Sequence, residues 1–154
     1  MNKEQRRLRI AQLDKKIAHF SHLKNTPAPG RGWIHAIRTA LGMSLKQLGN
    51  KLDMTPQGVR DIERREEEGA LTLQRFREVA TAMDMQFVYG LIPKEHSLEK
   101  MIEKRAFDMA KDIVLTTSHT MHLEDQGVDK KALEDAIQER AKKIKSNLPK
   151  KLWD

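Results

Sequence analysis

The chain has 154 residues, of which 33% are charged and 38% hydrophobic, with no cysteine and a formal net charge of +7. That length suits one ordinary domain, or a small core carrying extensions. The absence of cysteine excludes disulfides, thiol catalysis and Cys-ligated zinc, while no apolar run is long enough to span a bilayer and the N-terminus lacks a secretory stretch, so a cytoplasmic protein without a membrane is expected.

The charge is uneven. Residues 1–31 hold eight basic residues (Lys3, Arg6, Arg7, Arg9, Lys15, Lys16, Lys24 and Arg31) against Glu4 and Asp14, residues 32–93 balance, and residues 94–154 carry an excess of one positive charge. A basic N-terminal segment can neutralise phosphates or simply form a solvated helix. Leu8, Ile10, Leu13, Ile17 and Phe20 give it an imperfect helical stripe. Two prolines and two glycines within residues 25–32 then break any helix, so residues 1–31 are expected to be a helical arm and linker.

The next segment, 32–93, is dense with helix signals. Trp33, Ile34, Ile37 and Leu41 share one face and Gly42 stops it. Ser44 and Gln47 form a capping-box pair for a second helix with Leu45, Leu48 and Leu52 inward. Thr55 and Pro56 start a third, with Val59 and Ile62 inward, and Thr72 starts a fourth along Leu73, Phe76, Val79, Ala80 and Met83. Two short helices joined by a tight turn between flanking helices are the frame of a helix-turn-helix. The run from Ile37 through Leu48, Thr55 and Pro56 to Glu63 resembles the Xre/Cro-type repressor domain. That resemblance implies that the helix from Thr55 is the recognition helix, with Ser44, Lys46, Gln47, Thr55, Pro56, Gln57, Gly58, Arg60, Asp61 and Arg64 on the DNA side. Gln57 suits adenine, and Arg60 suits guanine or a phosphate. Gly58 is unusual inside a helix and is explained either by close approach to DNA or by packing against Leu48. The resemblance also implies a structural ion pair, Arg38 with Glu63. Two features depart from the pattern: Leu45 stands where such domains usually place glutamine, and Glu66, Glu67 and Glu68 follow the recognition helix, where they are expected to point away from DNA.

After Asp84 the period changes to alternation, with Met85, Phe87, Tyr89 and Leu91 on one side, up to Pro93, which predicts one strand over 85–92. With no second strand signal, its completion is pairing with a second protomer, or else packing as an extended segment on the helices. The stripe Leu98, Met101, Ile102, Ala106, Met109, Ala110, Ile113 and Val114, started by Ser97, predicts a long helix, and a last one runs from about Asp129 to Lys145 with Leu133, Ala136, Ile137 and Ala141 inward. Residues 94–154 are therefore read as a C-terminal helical partner-binding module. The expected fold is mainly α: helical arm, helix-turn-helix core, one strand and this module.

Across nearly the full chain, the Pro/Gly linker before Gly32-Trp33-Ile34, the segment Phe87-Val88-Tyr89-Gly90-Leu91-Ile92-Pro93-Lys94, the segments Ser118-His119-Thr120-Met121 and Leu123-Glu124-Asp125-Gln126, and the terminal Leu152-Trp153-Asp154 resemble the family called mobile mystery protein A. That resemblance implies pairing with a Fic-domain protein, an AMP-transferase toxin, and hence an antitoxin-like repressor. In inhibitors of Fic enzymes a helix carries Ser/Thr, three residues, then Glu and Gly/Asn. Thr120 and Glu124 have that spacing, with Asp125 in the last place, and the glutamate would pair with an arginine of the Fic site and occupy the ATP γ-phosphate position. The expected partners are operator DNA, a Fic toxin and a second copy of the chain. The alternatives are a plain phage- or plasmid-type repressor whose C-terminal helices only dimerise, and an adaptor that no longer binds DNA. His19 with His22 and His119 with His122 are spaced as zinc ligands can be, but a full set needs distant segments to converge. Neither a metal, a cofactor nor catalysis by this chain is expected.

Overall fold

The computed structural model describes residues 1–123 and 129–154, and side chains outside 119–128. Among the described residues there are seven α-helices: α1 (Lys3–Ala18), α2 (Trp33–Ala40), α3 (Leu45–Lys51), α4 (Pro56–Glu67), α5 (Leu73–Ala82), α6 (Leu98–Leu123) and α7 (Lys130–Asn147). No described helix is long and apolar enough to cross a membrane. The chain divides into two compact units, residues 25–89 and residues 1–24 with 90–154.

In the unit of residues 25–89, α2 to α5 enclose Ile34, Leu48, Val59, Ile62, Val79 and Met83, with Ile37, Leu45, Leu52, Met54 and Phe76 packed around them. The starts of α3, α4 and α5 follow from their capping side chains: Ser44, Thr55 and Thr72 accept the N–H of Gln47, Gly58 and Arg75. The ends of all four helices use one device. Gly42, Asp53, Gly69 and Asp84 adopt left-handed backbone just past the helix. The next N–H then donates back over the last turn, from Met43 to Arg38, Met54 to Gly49, Ala70 to Arg65 and Met85 to Ala80.

The strand expected over 85–92 is corrected by the structure: residues 85–93 adopt no regular secondary structure, and there is no strand among the described residues. Alternation places Phe87 and Tyr89 on one side, and the fold uses that side for ring stacking. Phe87 stacks on Phe76 at 4.8 Å and on Tyr89 at 5.9 Å, and the Arg77 guanidinium lies over the Tyr89 ring. A strand also needs a hydrogen-bonding neighbour, and this chain supplies none among the described residues.

In the other unit, Ile102, Ala106 and Ala110 of α6 meet Ile137, Ile144 and Leu148 at α7, closed by Leu152, with Ile10 of α1 against the same core. The small Ala106 and Ala110, completely buried, let the two long helices approach. Lys145 of α7 reaches Glu99 and Glu103 of α6 at 2.6 and 2.5 Å, and the hydrogen bonds it donates to Glu103 and then Glu99 raise its pKa.

The helix α1 joins both ends of this pair. At the start of α6, Asp14 accepts the N–H groups of Leu98 (2.7 Å) and Glu99 (3.1 Å) while Ser97 accepts that of Lys100, and the Met101 N–H bonds to the Ser97 carbonyl. The first three N–H groups of that helix, which have no partner within it, therefore all have side-chain acceptors. At the end of α7, Arg6 donates to the Leu148 carbonyl, Arg7 to the Ser146 carbonyl and Lys3 to the Asn147 side chain. A carboxylate sits at one helix start and cations at the other helix end, each the sign that the helix dipole favours.

Candidate nucleic-acid interface

The candidate surface is built by α3, the turn at 52–55 and α4. The turn is tight because Gly49 has no side chain. A Cβ there would stand 2.6 Å from the Met54 carbonyl oxygen, and the Met54 and Leu52 N–H groups both donate to the Gly49 carbonyl. Gly49 is buried, and sequence reasoning missed it, because a mid-helix glycine carries no sign of the backbone that crosses it.

The cap residues lie at the two helix starts on this surface. Ser44 and Gln47 hold each other's N–H groups, the Ser44 N–H to Gln47 Oε1 at 2.8 Å and the Gln47 N–H to Ser44 Oγ at 3.1 Å. Lys46 is exposed beside them. Thr55 caps α4, and Pro56 takes its first position, where a missing N–H leaves nothing unsatisfied. Gln57, Arg60, Asp61 and Arg64 are spaced to share one face of α4, and Gln57, Arg60 and Arg64 are exposed. Asp61 accepts a hydrogen bond from Gln57 Nε2 at 3.3 Å, and Arg64 Nη2 lies 3.6 Å from the same carboxylate oxygen. Gly58 is half-buried: a Cβ there would meet the Met54 side chain, sulfur first at 3.3 Å.

Two acidic residues on the inner side of α4 anchor it to α2. Glu63, 5% exposed, accepts from Arg38 Nε at 2.5 Å and from Arg38 Nη2 at 3.3 Å, and His35 Nδ1 lies 3.0 Å from its second oxygen. Arg38 also donates to the Met43 carbonyl at 2.8 Å. Burial pushes the Glu63 carboxyl up, but the hydrogen bonds and charges of Arg38 and His35 outweigh it and hold its pKa below the usual carboxylate range. One turn on, Glu66 accepts the N–H groups of Trp33 at 2.6 Å and Ile34 at 3.0 Å. It thereby caps α2, whose own cap residue, Gly32, has no side chain to offer. Gly32 has φ +88°, which favours glycine, and a Cβ there would stand 2.6 Å from Glu66 Cδ and displace that side chain from its cap. Of the acidic triplet, Glu66 is thus turned inward, while Glu67 and Glu68 are exposed.

Residues 34–89 match the helix-turn-helix family model. They form an Xre-like helix-turn-helix domain. Its end at Tyr89 is also the end of the compact unit that contains it. No curated protein and no solved structure matches the chain. The helix-turn-helix domain suggests a DNA-binding transcription regulator, and domains of this family are typically non-enzymatic. The match does not extend to α1, α6 or α7. Within the helix-turn-helix domain, His35, which the sequence did not single out, and Glu66, noted there only as part of an acidic triplet, are further bracing residues, each acting on a partner about thirty positions away.

Outside the domain, the helix α6 runs through Thr120 to Leu123, but the Thr120 side chain and Glu124 lie outside the described residues, as do the side chains of His119 and His122. Among the described residues no group of three or more potential ligands could hold a metal ion.

Proposed function

We propose that the chain is an antitoxin-like transcriptional repressor: a homodimer that binds operator DNA through α3 and α4 and silences a Fic-domain partner through its C-terminal helices. The observation that carries the DNA half is the exposed set Gln57, Arg60 and Arg64 with Asp61, on a helix whose opposite side is fixed by Glu63 and Glu66. Rigid placement matters because base edges are discriminated by bidentate hydrogen bonds that tolerate little displacement. Ser44, Lys46, Gln47, Thr55, Pro56 and Gly58 lie at the two helix starts, where backbone N–H groups and the positive end of the dipole favour phosphate. A two-fold dimer fits this role, since operators of such repressors are palindromes with half-sites about one turn apart.

The Fic half is supported by the resemblance of residues 118–126 and 152–154 to mobile mystery protein A, and by the Thr120 to Glu124 spacing. The glutamate would pair with an arginine of the toxin and keep the ATP γ-phosphate out of line for transfer.

Enrichment of a random duplex library by the full-length protein tests the first half. Gln57→Ala and Arg60→Ala should each weaken the enriched site by about 1–3 kcal/mol. Unchanged affinity and base preference in both variants would reject the assignment. Co-expression with a neighbouring Fic-domain protein tests the second half: wild type should protect cells and Glu124→Ala should not. Equal protection by the two would reject the inhibitory role of Glu124, and no protection by wild type would leave residues 94–154 as a dimerisation element of a plain repressor.

A further inference from the structure

We infer that Asp61 is a positioning residue that makes Gln57 select adenine against guanine. The inference rests on the operator-binding reading above and assigns a discriminating role within it. An ionised carboxylate only accepts hydrogen bonds, so the Gln57 amide must turn its nitrogen, not its oxygen, toward Asp61, and the observed bond is Nε2 to Asp61 Oδ1 at 3.3 Å. One of the two amide hydrogens is then occupied. What remains to face a base is one N–H donor and the Oε1 acceptor.

Those two groups complement adenine, which offers the N7 acceptor beside the N6 amino donor. Guanine offers two acceptors, N7 and O6, and would need both amide hydrogens. With one of them held by Asp61, guanine would meet the Oε1 lone pairs instead. Turning the amide over to escape this would set Oε1 against the Asp61 carboxylate. The arrangement therefore excludes the wrong base as well as accepting the right one. Arg64, 3.6 Å from the same Asp61 oxygen, holds the carboxylate from the other side, one turn further along the helix. Side-chain exposure of 45% for Asp61 and 60% for Arg64 places both outside the core, so substitution at Asp61 leaves the fold intact.

The test is enrichment of a random duplex library by the full-length protein, followed by affinities for matched duplexes that differ only by adenine or guanine at the base step whose preference disappears in Gln57→Ala. Wild type should prefer adenine by about tenfold. Asp61→Ala should reduce that ratio to near unity, and Asp61→Glu, which keeps a carboxylate within reach of Gln57, should retain most of it. An adenine-to-guanine ratio in Asp61→Ala within twofold of wild type overturns the inference, even if affinity falls equally for both duplexes, as a structural role would produce. Equal loss of the ratio in Asp61→Glu and Asp61→Ala overturns it as well. If Gln57→Ala changes no step while wild type enriches a sequence, the inference alone is overturned; if wild type enriches no sequence, the operator-binding reading fails and the inference falls with it.

Discussion

Glu63→Gln should be among the most damaging near-isosteric changes in the helix-turn-helix domain. The native carboxylate takes two hydrogen bonds from Arg38 and one from His35 while only 5% exposed. Glutamine keeps one oxygen but presents an NH2 group to a guanidinium or an imidazole N–H, and so leaves Arg38, 9% exposed, with a buried charge and no counter-ion. Removing one partner of a buried pair costs about 3 kcal/mol or slightly more. For a unit of this size that corresponds to a fall in Tm of about 15 °C.

The chain provides its own reporters, since it has two tryptophans, Trp33 in the helix-turn-helix unit and Trp153 in the other. Urea titration in a Trp153→Phe background follows the first unit through Trp33. The pH dependence has a definite sign. Because the folded pKa of Glu63 is lowered, its contribution is complete above the ordinary carboxyl pKa, about 4.3, and is lost as pH falls through the lower folded value. The gap between wild type and Glu63→Gln should therefore be full at pH 7 and should close on acidification below about pH 4. A gap under about 0.5 kcal/mol at pH 7 would refute the account. So would a gap that persists undiminished at about pH 3.

Other substitutions follow from the same geometry. Gly49→Ala should destabilise the helix-turn-helix unit by about 2 kcal/mol, because its Cβ would meet a backbone oxygen at 2.6 Å. Gly58→Ala meets only the pliant Met54 side chain, so it should raise stability by up to about 1 kcal/mol while weakening DNA binding, which separates the two explanations of that glycine. Glu66→Ala removes the acceptor of two N–H groups at the start of α2 and should cost about 1–2 kcal/mol in the Trp33-reported transition. In a Trp33→Phe background, Asp14→Ala should lower the Trp153-reported transition by about 1 kcal/mol, since the Leu98 and Glu99 donors lose their acceptor.

What could be read from the sequence was local. Ser44 with Gln47, Thr55 with Pro56, and Thr72 mark helix starts because capping acts within three residues, and the structure has each bond. The apolar stripe of α6 was legible for the same reason, its inward positions recurring every three or four residues. Long-range polar partners were not legible. Nothing near Glu66 indicates that it caps a helix starting at residue 33, and nothing near Asp14 indicates that it caps one starting at residue 98. The strand failed for a related reason: alternation reports which side chains share a side, not whether a neighbouring backbone exists, and Phe87 and Tyr89 satisfied their shared side by stacking.

The basic N-terminal segment now divides by role, and the division changes how its part in DNA binding must be measured. Lys3, Arg6 and Arg7 donate to the end of α7, and Lys24 donates to the Lys94 carbonyl, whereas Arg9, Lys15, Lys16 and Arg31 make no hydrogen bond or ion pair among the described residues. Deleting residues 1–24 would strip the α7 end of its cations and the α6 start of Asp14, so weaker DNA binding after deletion would not identify phosphate-binding residues. Neutralising Arg9, Lys15 and Lys16 to glutamine removes charge from exposed positions without touching either helix end. If these residues meet phosphate, the slope of log affinity against log salt should become shallower by about 0.9 for each phosphate no longer neutralised, with base preference unchanged. Arg6→Gln should instead lower the Trp153-reported stability and leave the slope as it was. An unchanged slope in the triple variant would assign the exposed charges of α1 to solvation rather than to DNA.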